Sequence, residues 1–262
     1  MWIGTRDFNL RFDVVTLFPA MVATLGAYGV LGRAVNRGIV AIHEWNPRDF
    51  CVDRHHTVDD RAYGGGPGMV MKVAPLLATI SAVRQQVGPQ AKLVYLSPQG
   101  GVLHQGVFRN WAHSCQNLIL LCGRYEGIDE RLYHYIDEEW SLGDYVLSGG
   151  ELAAMVVMEG VARLLPGVLG HEESAQQDSF HNGMLDCPHY TRPERFMEMT
   201  VPEVLLNGNH AAISQWRHRQ ALGRTWLKRP DLLSRLVLTQ EQQQWLQDFI
   251  DEYSSSKGKH ED

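Results

Sequence analysis

Three short apolar runs, each followed by a loop that contains glycine, are the feature that most constrains how this chain can fold. The run at 93–96 leads into the loop Ser97–Gly101, and the run at 118–121 leads into the loop Cys122–Gly127. In the third, Trp140–Glu151, the apolar residues and the glycines are interleaved in one stretch. Ordered glycines cost backbone entropy, which disfavours a plain core strand at 140–151, while its large apolar side chains disfavour a solvated loop. Two interpretations fit this stretch: a strand end followed by the glycine start of a helix, or a buried turn that closes on a small molecule.

Strand and helix patterns alternate around these loops. Strands are predicted at 91–96 and 117–122, and helices at 103–112 and 128–136, before the stretch 140–151. This alternation predicts an α/β fold with a parallel sheet covered by helices. Ligands bind at the carboxyl ends of the strands in open α/β sheets, so we expect the three loops to converge on one pocket of backbone amides and carbonyls. The glycine spacings of dinucleotide-binding and triphosphate-binding loops do not occur, which excludes those two classes of site.

The first half of the chain gives less regular signals. The elements predicted there are a strand at 12–18, a helix at 19–28, a short helix at 30–37, a strand at 39–45, an extended loop at 46–72 and a helix at 73–87. Within the extended loop, Gly64–Gly68 fits a flexible linker, but the flanking Tyr63 and Met69 favour an ordered loop. Residues 152–165 are apolar almost all round, which predicts a helix buried in the core or at a subunit interface.

The C-terminal third has a different character. Residues 167–182 show little periodicity and predict a mobile linker. Short helices are predicted at 202–206, 211–227, 230–235 and 239–253, and disorder is predicted for the polar tail at 254–262. The expected organisation is an α/β domain at 1–169, a linker at 170–182 and a small, mainly helical domain at 183–262.

Charge and cysteine content limit the possible functions. The 262 residues carry a net charge of −6, which argues mildly against a nucleic-acid partner, because Lys and Arg neutralise phosphates. Between Arg192 and Arg235, however, eight residues are basic and four acidic, which fits either an RNA-facing module or an ordinary solvated helix face. The four cysteines form no C-x-x-C pair and indicate reduced thiols in the cytoplasm. The sequence lacks both a membrane-length apolar run and an apolar signal region.

Further motifs accompany the three loops. They are Asn46–Phe50, Thr57–Arg61, Tyr63–Met69 and Asp186–Pro193. Together with the loops they resemble the bacterial tRNA (guanine-N1)-methyltransferases, members of the knotted SPOUT methyltransferases, from about residue 12 to residue 250. The combination is far more specific than any single motif.

The resemblance implies a SPOUT-type domain whose chain forms a trefoil knot around the cofactor loops, although general topology rules favour an unknotted chain. It implies S-adenosylmethionine as cofactor and tRNA as substrate, with methylation at N1 of the guanine at position 37. It also implies a homodimer whose active sites are shared between subunits. A divalent cation such as Mg²⁺ is compatible with the family, but no residues identify its site. The residues that the resemblance assigns to the cofactor are Tyr95, Leu96, Ser97, Pro98, Gln99, Gly123, Tyr125, Glu126, Ser141, Leu142, Gly143, Asp144, Tyr145, Val146, Leu147, Gly149 and Gly150.

Methylation of guanine N1 requires a base, because that nitrogen carries a proton, and a cation would stabilise the charge that develops on O6. The resemblance assigns Asp178 as the base, although a linker aspartate is more often a helix cap. It places Arg163 near the reacting guanine, where the alternative is an arginine that interacts with the helix dipole. Residues expected to contact the substrate are Arg124, Asp186, His189, Tyr190 and Arg192. Arg124 and Glu126 are alternatively expected to orient the methionine end of the cofactor.

Two other function classes fit parts of the sequence. A metal enzyme would draw its ligands from His55, His56, His171, His181, Cys187 and His189, but none of the familiar zinc-binding spacings occurs, so no metal site is predicted. A non-catalytic RNA-binding module would leave the glycine loops unexplained. The chain departs from the family pattern in an extension at 1–11, in Ala153 where proline is common, and in a segment at 131–136 that is one residue short. None of these departures removes a chemical group from the site.

Overall fold

The computed structural model describes residues 10–170 and 178–257. Contacts between residues divide the chain into two compact units, 1–172 and 173–262. No helix within the described ranges combines the length and the apolar character needed to cross a membrane.

A five-stranded parallel sheet forms the centre of the first unit. The strands of this unit are β1 (Leu10–Val15), β2 (Val40–Trp45), β3 (Asp59–Asp60), β4 (Val70–Met71), β5 (Lys92–Val102), β6 (Asn117–Cys122) and β7 (Glu138–Ser141). The large sheet has the order β2-β1-β6-β5-β7, and all its neighbouring strands are parallel. The α/β class and the parallel sheet predicted from the sequence are confirmed. The knot stays a prediction.

Helices pack on both faces of this sheet. They are α1 (Pro19–Ala23), α2 (Gly29–Asn36), α3 (Val73–Val87), α4 (Gln105–Ser114) and α5 (Glu151–Ala162). Because side chains alternate along a strand, Leu118 and Leu120 of β6 face the cluster formed with α2, α4 and α5, while Ile119 and Leu121 face the cluster formed with α3. Each fully buried leucine or isoleucine stabilises the fold by about 1.5–3 kcal/mol. The sheet therefore has no solvated face at its centre, which explains the continuous apolar run at 118–121.

Several predicted boundaries were wrong for local reasons. The helix predicted at 128–136 is a 3₁₀ segment, Glu130–Tyr135, which begins where the Asp129 side chain accepts a hydrogen bond from the Arg131 amide. Strand β5 continues past Leu96, because a bulge lets Gly101 pair with Trp140 of β7. Three smaller boundaries also differ from the prediction. Strand β1 ends at Val15, and α1 ends at Ala23, where a 3₁₀ turn at Thr24–Ala27 follows it. Helix α4 begins and ends two residues later than predicted.

The predicted extended loop at 46–72 contains some regular structure. It holds a 3₁₀ turn at Pro47–Phe50, capped by the Asn46 side chain, and the antiparallel pair of β3 with β4. The sequence prediction missed this pairing, because two-residue strands leave no periodic signal.

Helix α5 is only partly covered within a single chain. Val157, Met158 and Val161 are fully buried, as its apolar sequence predicts. Leu152 and Val156, which lie one turn apart on the same face, remain 47% and 45% exposed. The predicted burial of the whole helix is therefore incomplete in the single chain.

The second unit is mainly helical. It contains a small hairpin of β8 (Arg195–Phe196) and β9 (Met199–Thr200), followed by α6 (His210–Lys228), α7 (Pro230–Leu233) and α8 (Gln240–Lys257). Helix α6 packs on α8 so closely that a Cβ at Gly223 would lie 2.3 Å from the ring of Phe249. The sequence prediction missed the hairpin, and residues 202–206, predicted as a helix, contain a 3₁₀ turn at Glu203–Leu205. Helix α8 extends to Lys257, into the tail for which disorder was predicted. Residues 171–177 of the predicted linker and 258–262 of the predicted tail lie outside the described residues.

The contact between β5 and β7 generates a stability prediction. A Cβ at Gly100 would lie 2.4 Å from the Trp140 amide nitrogen and 2.5 Å from the Glu139 carbonyl carbon, so the backbones would have to separate. We expect Gly100→Ala to reduce the free energy of unfolding by about 1–3 kcal/mol, measured by calorimetric and urea melts. Gly170→Ala is the control, because among the described residues no atom beyond its chain neighbours lies within 4 Å of its Cβ position. An unchanged melting midpoint for Gly100→Ala would contradict this packing.

Candidate active site

The bulged part of β5 and the loops that follow β6 and β7 meet around one cavity of about 350 Å³. The cavity is lined by Tyr95–Gln99, by Gly123–Ile128 with Glu130 and Tyr133, and by Trp140–Gly143, Tyr145–Gly150 and Ala153. Of the residues that the family resemblance assigns to the cofactor, only Asp144 does not line this cavity; its side chain is exposed. The structure thus brings together the three loops that the sequence singled out.

Glycine allows these loops to approach each other closely. The Gly150 amide donates a hydrogen bond to the Gly123 carbonyl at 3.0 Å, and Arg124 forms an antiparallel bridge with Gly149. A Cβ at Gly150 would lie 2.8 Å from the Cα of Cys122, and one at Gly123 would lie 2.8 Å from the Tyr95 hydroxyl. Larger residues at these positions would push the loops apart. The stretch 140–151 therefore combines both interpretations: β7 ends at Ser141, a partly buried turn follows, and α5 begins at Glu151.

A buried ion pair lies behind the cavity wall. The Glu151 side chain is 1% exposed and accepts a 2.8 Å hydrogen bond from the Thr16 hydroxyl. Its second oxygen lies 2.9 Å from a guanidinium nitrogen of Arg124, in a contact whose alignment is that of a charge pair rather than a hydrogen bond. The guanidinium of Arg124 also stacks on the Phe18 ring at 4.3 Å. Sequence reasoning missed Glu151 and Thr16; the one available signal was an acidic residue in the first turn of a helix.

A second carboxylate fixes the loop after Leu96. Glu139 accepts hydrogen bonds from the Ser97 hydroxyl at 2.5 Å and from the Tyr133 hydroxyl at 2.9 Å. The Ser97 oxygen in turn accepts a hydrogen bond from the Gln99 amide at 3.0 Å. Burial, followed by the charge of Glu139, raises the pKa of Tyr95 to about 12. This side of the cavity is therefore held in place by Glu139, which is not itself one of the lining residues.

The glycine-rich segment at 63–69 is joined to the cavity by backbone hydrogen bonds. The Glu126 amide donates to the Met69 carbonyl at 2.9 Å, and the Met71 amide donates to the Gly127 carbonyl at 2.9 Å. Gly68 has a φ of +87°, and a Cβ there would lie 2.2 Å from a carboxylate oxygen of Glu126. The end of this segment is thus an ordered loop, as its flanking residues indicated.

The two catalytic candidates lie in different units. Arg163 is the C-cap of α5, whereas the cavity lies at the N-terminal end of that helix. A helix of 12 residues separates its two ends by about 18 Å. Asp178 belongs to the second unit and is half-buried. Within one copy of the first unit, Arg163 therefore does not reach the cavity.

The second unit groups most of the predicted substrate contacts. Asp178 and Asp186 line a cavity of about 220 Å³ together with Arg217, which sequence reasoning missed. Asp186 lies 2.8 Å from a ring nitrogen of His189, and the Ser179 hydroxyl accepts a hydrogen bond from the Asp186 amide. The remaining predicted contacts are peripheral: Tyr190 packs against Trp216 with ring centroids 6.3 Å apart, and Arg192 is exposed.

One cluster bears on the metal alternative. Atoms of Asp186, Cys187 and His189 that could bind a metal lie within 4.8 Å of one another. Cys187 is buried, and burial is the largest cause of the raised pKa of its thiol, followed by the charge of Asp186. A raised thiol pKa opposes the thiolate form that metals bind. Asp186 and His189 contact each other directly at 2.8 Å, so no metal ion is needed to explain why these two residues lie close together.

Comparison with known proteins decides the family. A sequence model of the family described as tRNA (Guanine-1)-methyltransferase TrmD matches residues 10–235. The chain is 56% identical over 262 residues to the tRNA (guanine-N(1)-)-methyltransferase of Klebsiella pneumoniae strain 342, covering 100% of this chain and 99% of that protein. The same identity and coverage hold for the protein of that name in Escherichia coli strain K12 / DH10B.

This chain belongs to the tRNA (guanine-N1)-methyltransferase family. The resemblance inferred from the three loops and the accompanying motifs is therefore confirmed. The family match extends across both units, from β1 to beyond α7. The cavity of the first unit and the aspartates of the second unit accordingly belong to one tRNA (guanine-N1)-methyltransferase chain.

The buried phenol of Tyr95 gives a pH prediction. Its pKa is raised from 10.0 to about 12, so between these values the folded protein keeps a proton that the unfolded chain loses. The free energy of unfolding should therefore fall as the pH rises from 10 to 12. Phenylalanine does not titrate, so Tyr95→Phe should make this fall shallower in urea melts at a series of pH values. Tyr28→Phe, at an exposed position, should leave the slope unchanged; equal slopes for all three proteins would contradict the burial effect.

Proposed function

We propose that this protein transfers a methyl group from S-adenosylmethionine to N1 of the guanine at tRNA position 37, next to the anticodon, and that it does so as a knotted cytoplasmic homodimer. One observation carries the proposal: the three glycine loops of a family member form a single cavity that contains all but one of the expected cofactor residues. A purely RNA-binding module would have no use for such a cavity.

The cavity suits S-adenosylmethionine in size and lining. Its volume of about 350 Å³ falls within the range of roughly 300–1,000 Å³ that small-molecule sites occupy. At Gly123, Gly149 and Gly150 an added Cβ would collide with neighbouring atoms of the wall, so glycine lets the loops close together around the ligand. Tyr95–Gln99, Gly123, Tyr125 and Glu126 would contact the cofactor, together with residues 141–143, 145–147, 149 and 150. When bound, S-adenosylmethionine supplies an electrophilic methyl group on a positively charged sulfur.

Asp178 is the proposed general base. Guanine N1 becomes a good nucleophile only after its proton leaves, and a carboxylate within hydrogen-bond reach can accept that proton. Arg163 is the proposed cation that stabilises the charge developing on guanine O6. Holding the two reactants in line contributes up to roughly 7–11 kcal/mol. Asp186, His189, Tyr190 and Arg192 are proposed to hold the tRNA around this reaction.

The position of Arg163 favours a site built from two subunits. The cavity lies at one end of α5 and Arg163 lies at the other, so one chain cannot bring both to the same guanine through this helix. Leu152 and Val156 leave an apolar stripe on α5 that a second copy would cover. In an antiparallel arrangement of two such helices, Arg163 of one copy would approach the cavity of the other.

The function and the base are tested together with two tRNA transcripts, one with guanine and one with adenine at position 37. We expect methyl transfer from labelled S-adenosylmethionine to the guanine transcript alone, with 1-methylguanosine as the mapped product. Asp178→Asn should lower the rate by roughly 10²–10⁴-fold and leave cofactor affinity, measured by calorimetry, unchanged. Asp248→Asn, at an exposed position of α8, is the control and should retain full activity. Transfer to the adenine transcript, or full activity of Asp178→Asn, would overturn the respective assignment.

Sharing of active sites is tested by mixing two inactive variants. Asp178→Ala removes the base, and Gly149→Trp blocks the cavity, since even a Cβ at this position would lie 2.2 Å from Arg124. If each site takes its base from one subunit and its cavity from the other, a mixed dimer should contain one intact site out of two. About half of the dimers in a statistical 1:1 mixture are mixed, so the mixture should recover about a quarter of the wild-type activity per chain. No recovery in dimers shown by mass spectrometry to be mixed would contradict sharing.

A further inference from the structure

We propose that Glu151 sets the charge of the cofactor cavity: it neutralises Arg124, so that an arginine can form part of the wall without repelling a positively charged ligand. The inference rests on the proposed function, because S-adenosylmethionine carries its positive charge on the sulfur. Neither Glu151 nor Thr16 is among the residues to which the motifs give a role.

Arg124 is close to the ligand and Glu151 is behind it. Arg124 lines the cavity, whereas Glu151, at 1% exposure, is not one of the lining residues. Their charged atoms lie 2.9 Å apart. A carboxylate buried to this degree requires a partner, because an unpaired charge in the interior is strongly destabilising. Thr16 and the first turn of α5 supply the remaining stabilisation, through a 2.8 Å hydrogen bond and the helix dipole.

The guanidinium of Arg124 is held in one position from several directions. It donates a 3.2 Å hydrogen bond to the Ser148 carbonyl and lies over the Phe18 ring. The Thr16 hydroxyl that donates to Glu151 also accepts a hydrogen bond from the Phe18 amide at 2.9 Å, so one side chain positions both partners of Arg124. Gly149 lies against the arginine, with no room for a Cβ. Arg124 therefore acts as a fixed part of the wall, and its charge is already paired before a ligand arrives.

The paired charge has a consequence for ligand preference. The cofactor loses its positive charge when the methyl group leaves, and the product S-adenosylhomocysteine is a neutral thioether at that position. An unpaired arginine in the wall would weaken binding of the cofactor and leave binding of the product nearly unchanged. Glu126 and Glu130, which line the same cavity, add negative charge to it. The preference between cofactor and product therefore reports the charge of the wall.

Calorimetric titration with S-adenosylmethionine and with S-adenosylhomocysteine tests this directly. In Glu151→Gln, which keeps a hydrogen-bonding side chain and removes the charge, the ratio of the two dissociation constants should shift against S-adenosylmethionine by roughly three- to tenfold at low salt and by less at high salt. Arg124→Gln should shift the ratio in the opposite direction, and the double variant should return it to the wild-type value. The Arg124→Gln titration carries the test alone if Glu151→Gln does not fold.

A matched control separates this effect from a general change of charge. Glu44→Gln removes one carboxylate from β2, at the other edge of the sheet from β7, and should leave the ratio unchanged. Equal weakening of both ligands in the Glu151 and Arg124 variants would show a purely structural role and overturn the inference, while the proposed function stands. Failure of the wild-type protein to bind either ligand would overturn the proposed function, and the inference with it.

Discussion

The attachment of the loop after β6 to the start of α5 is the contact on which the rest of the site depends. It consists of the hydrogen bond from the Gly150 amide to the Gly123 carbonyl and of the buried pair of Arg124 with Glu151. The two parts depend on each other, because the close approach of the glycine backbones buries Glu151, and a buried carboxylate requires a charged partner. Without this attachment, two of the three cavity walls would no longer be fixed against each other.

Helix α5 links this attachment to the proposed chemistry. Its N-terminal end closes the cavity, its centre fills the core with Val157 and Met158, and its C-terminal end carries Arg163. A single rigid helix cannot bring both of its ends to one guanine. The geometry of one element therefore connects the buried packing of the sheet, the apolar stripe at Leu152 and Val156, and the proposal that two subunits build each site.

The sequence predicted the parts of the molecule that have a strong local signal. Apolar runs identified β6 and the sheet, and glycines at strand ends identified the cavity loops, because burial and close approach each demand particular residue types. The hairpin at 195–200 was missed because two-residue strands have no period, and the segment at 130–135 was assigned to an α-helix because 3₁₀ and α patterns are similar over one turn. Glu151 was missed because its partners, Thr16 and Arg124, are 135 and 27 residues away in the sequence, and a buried charge is recognisable only when its partners are known.

The most direct test of this account is a crystal structure of the protein with S-adenosylmethionine. The account predicts the cofactor between Tyr95–Gln99, Gly123 and Gly149–Gly150, with the Arg124–Glu151 pair intact behind it. A cofactor bound elsewhere while the three loops enclose only solvent, or a bound state in which Arg124 has left Glu151 to contact the ligand, would contradict it.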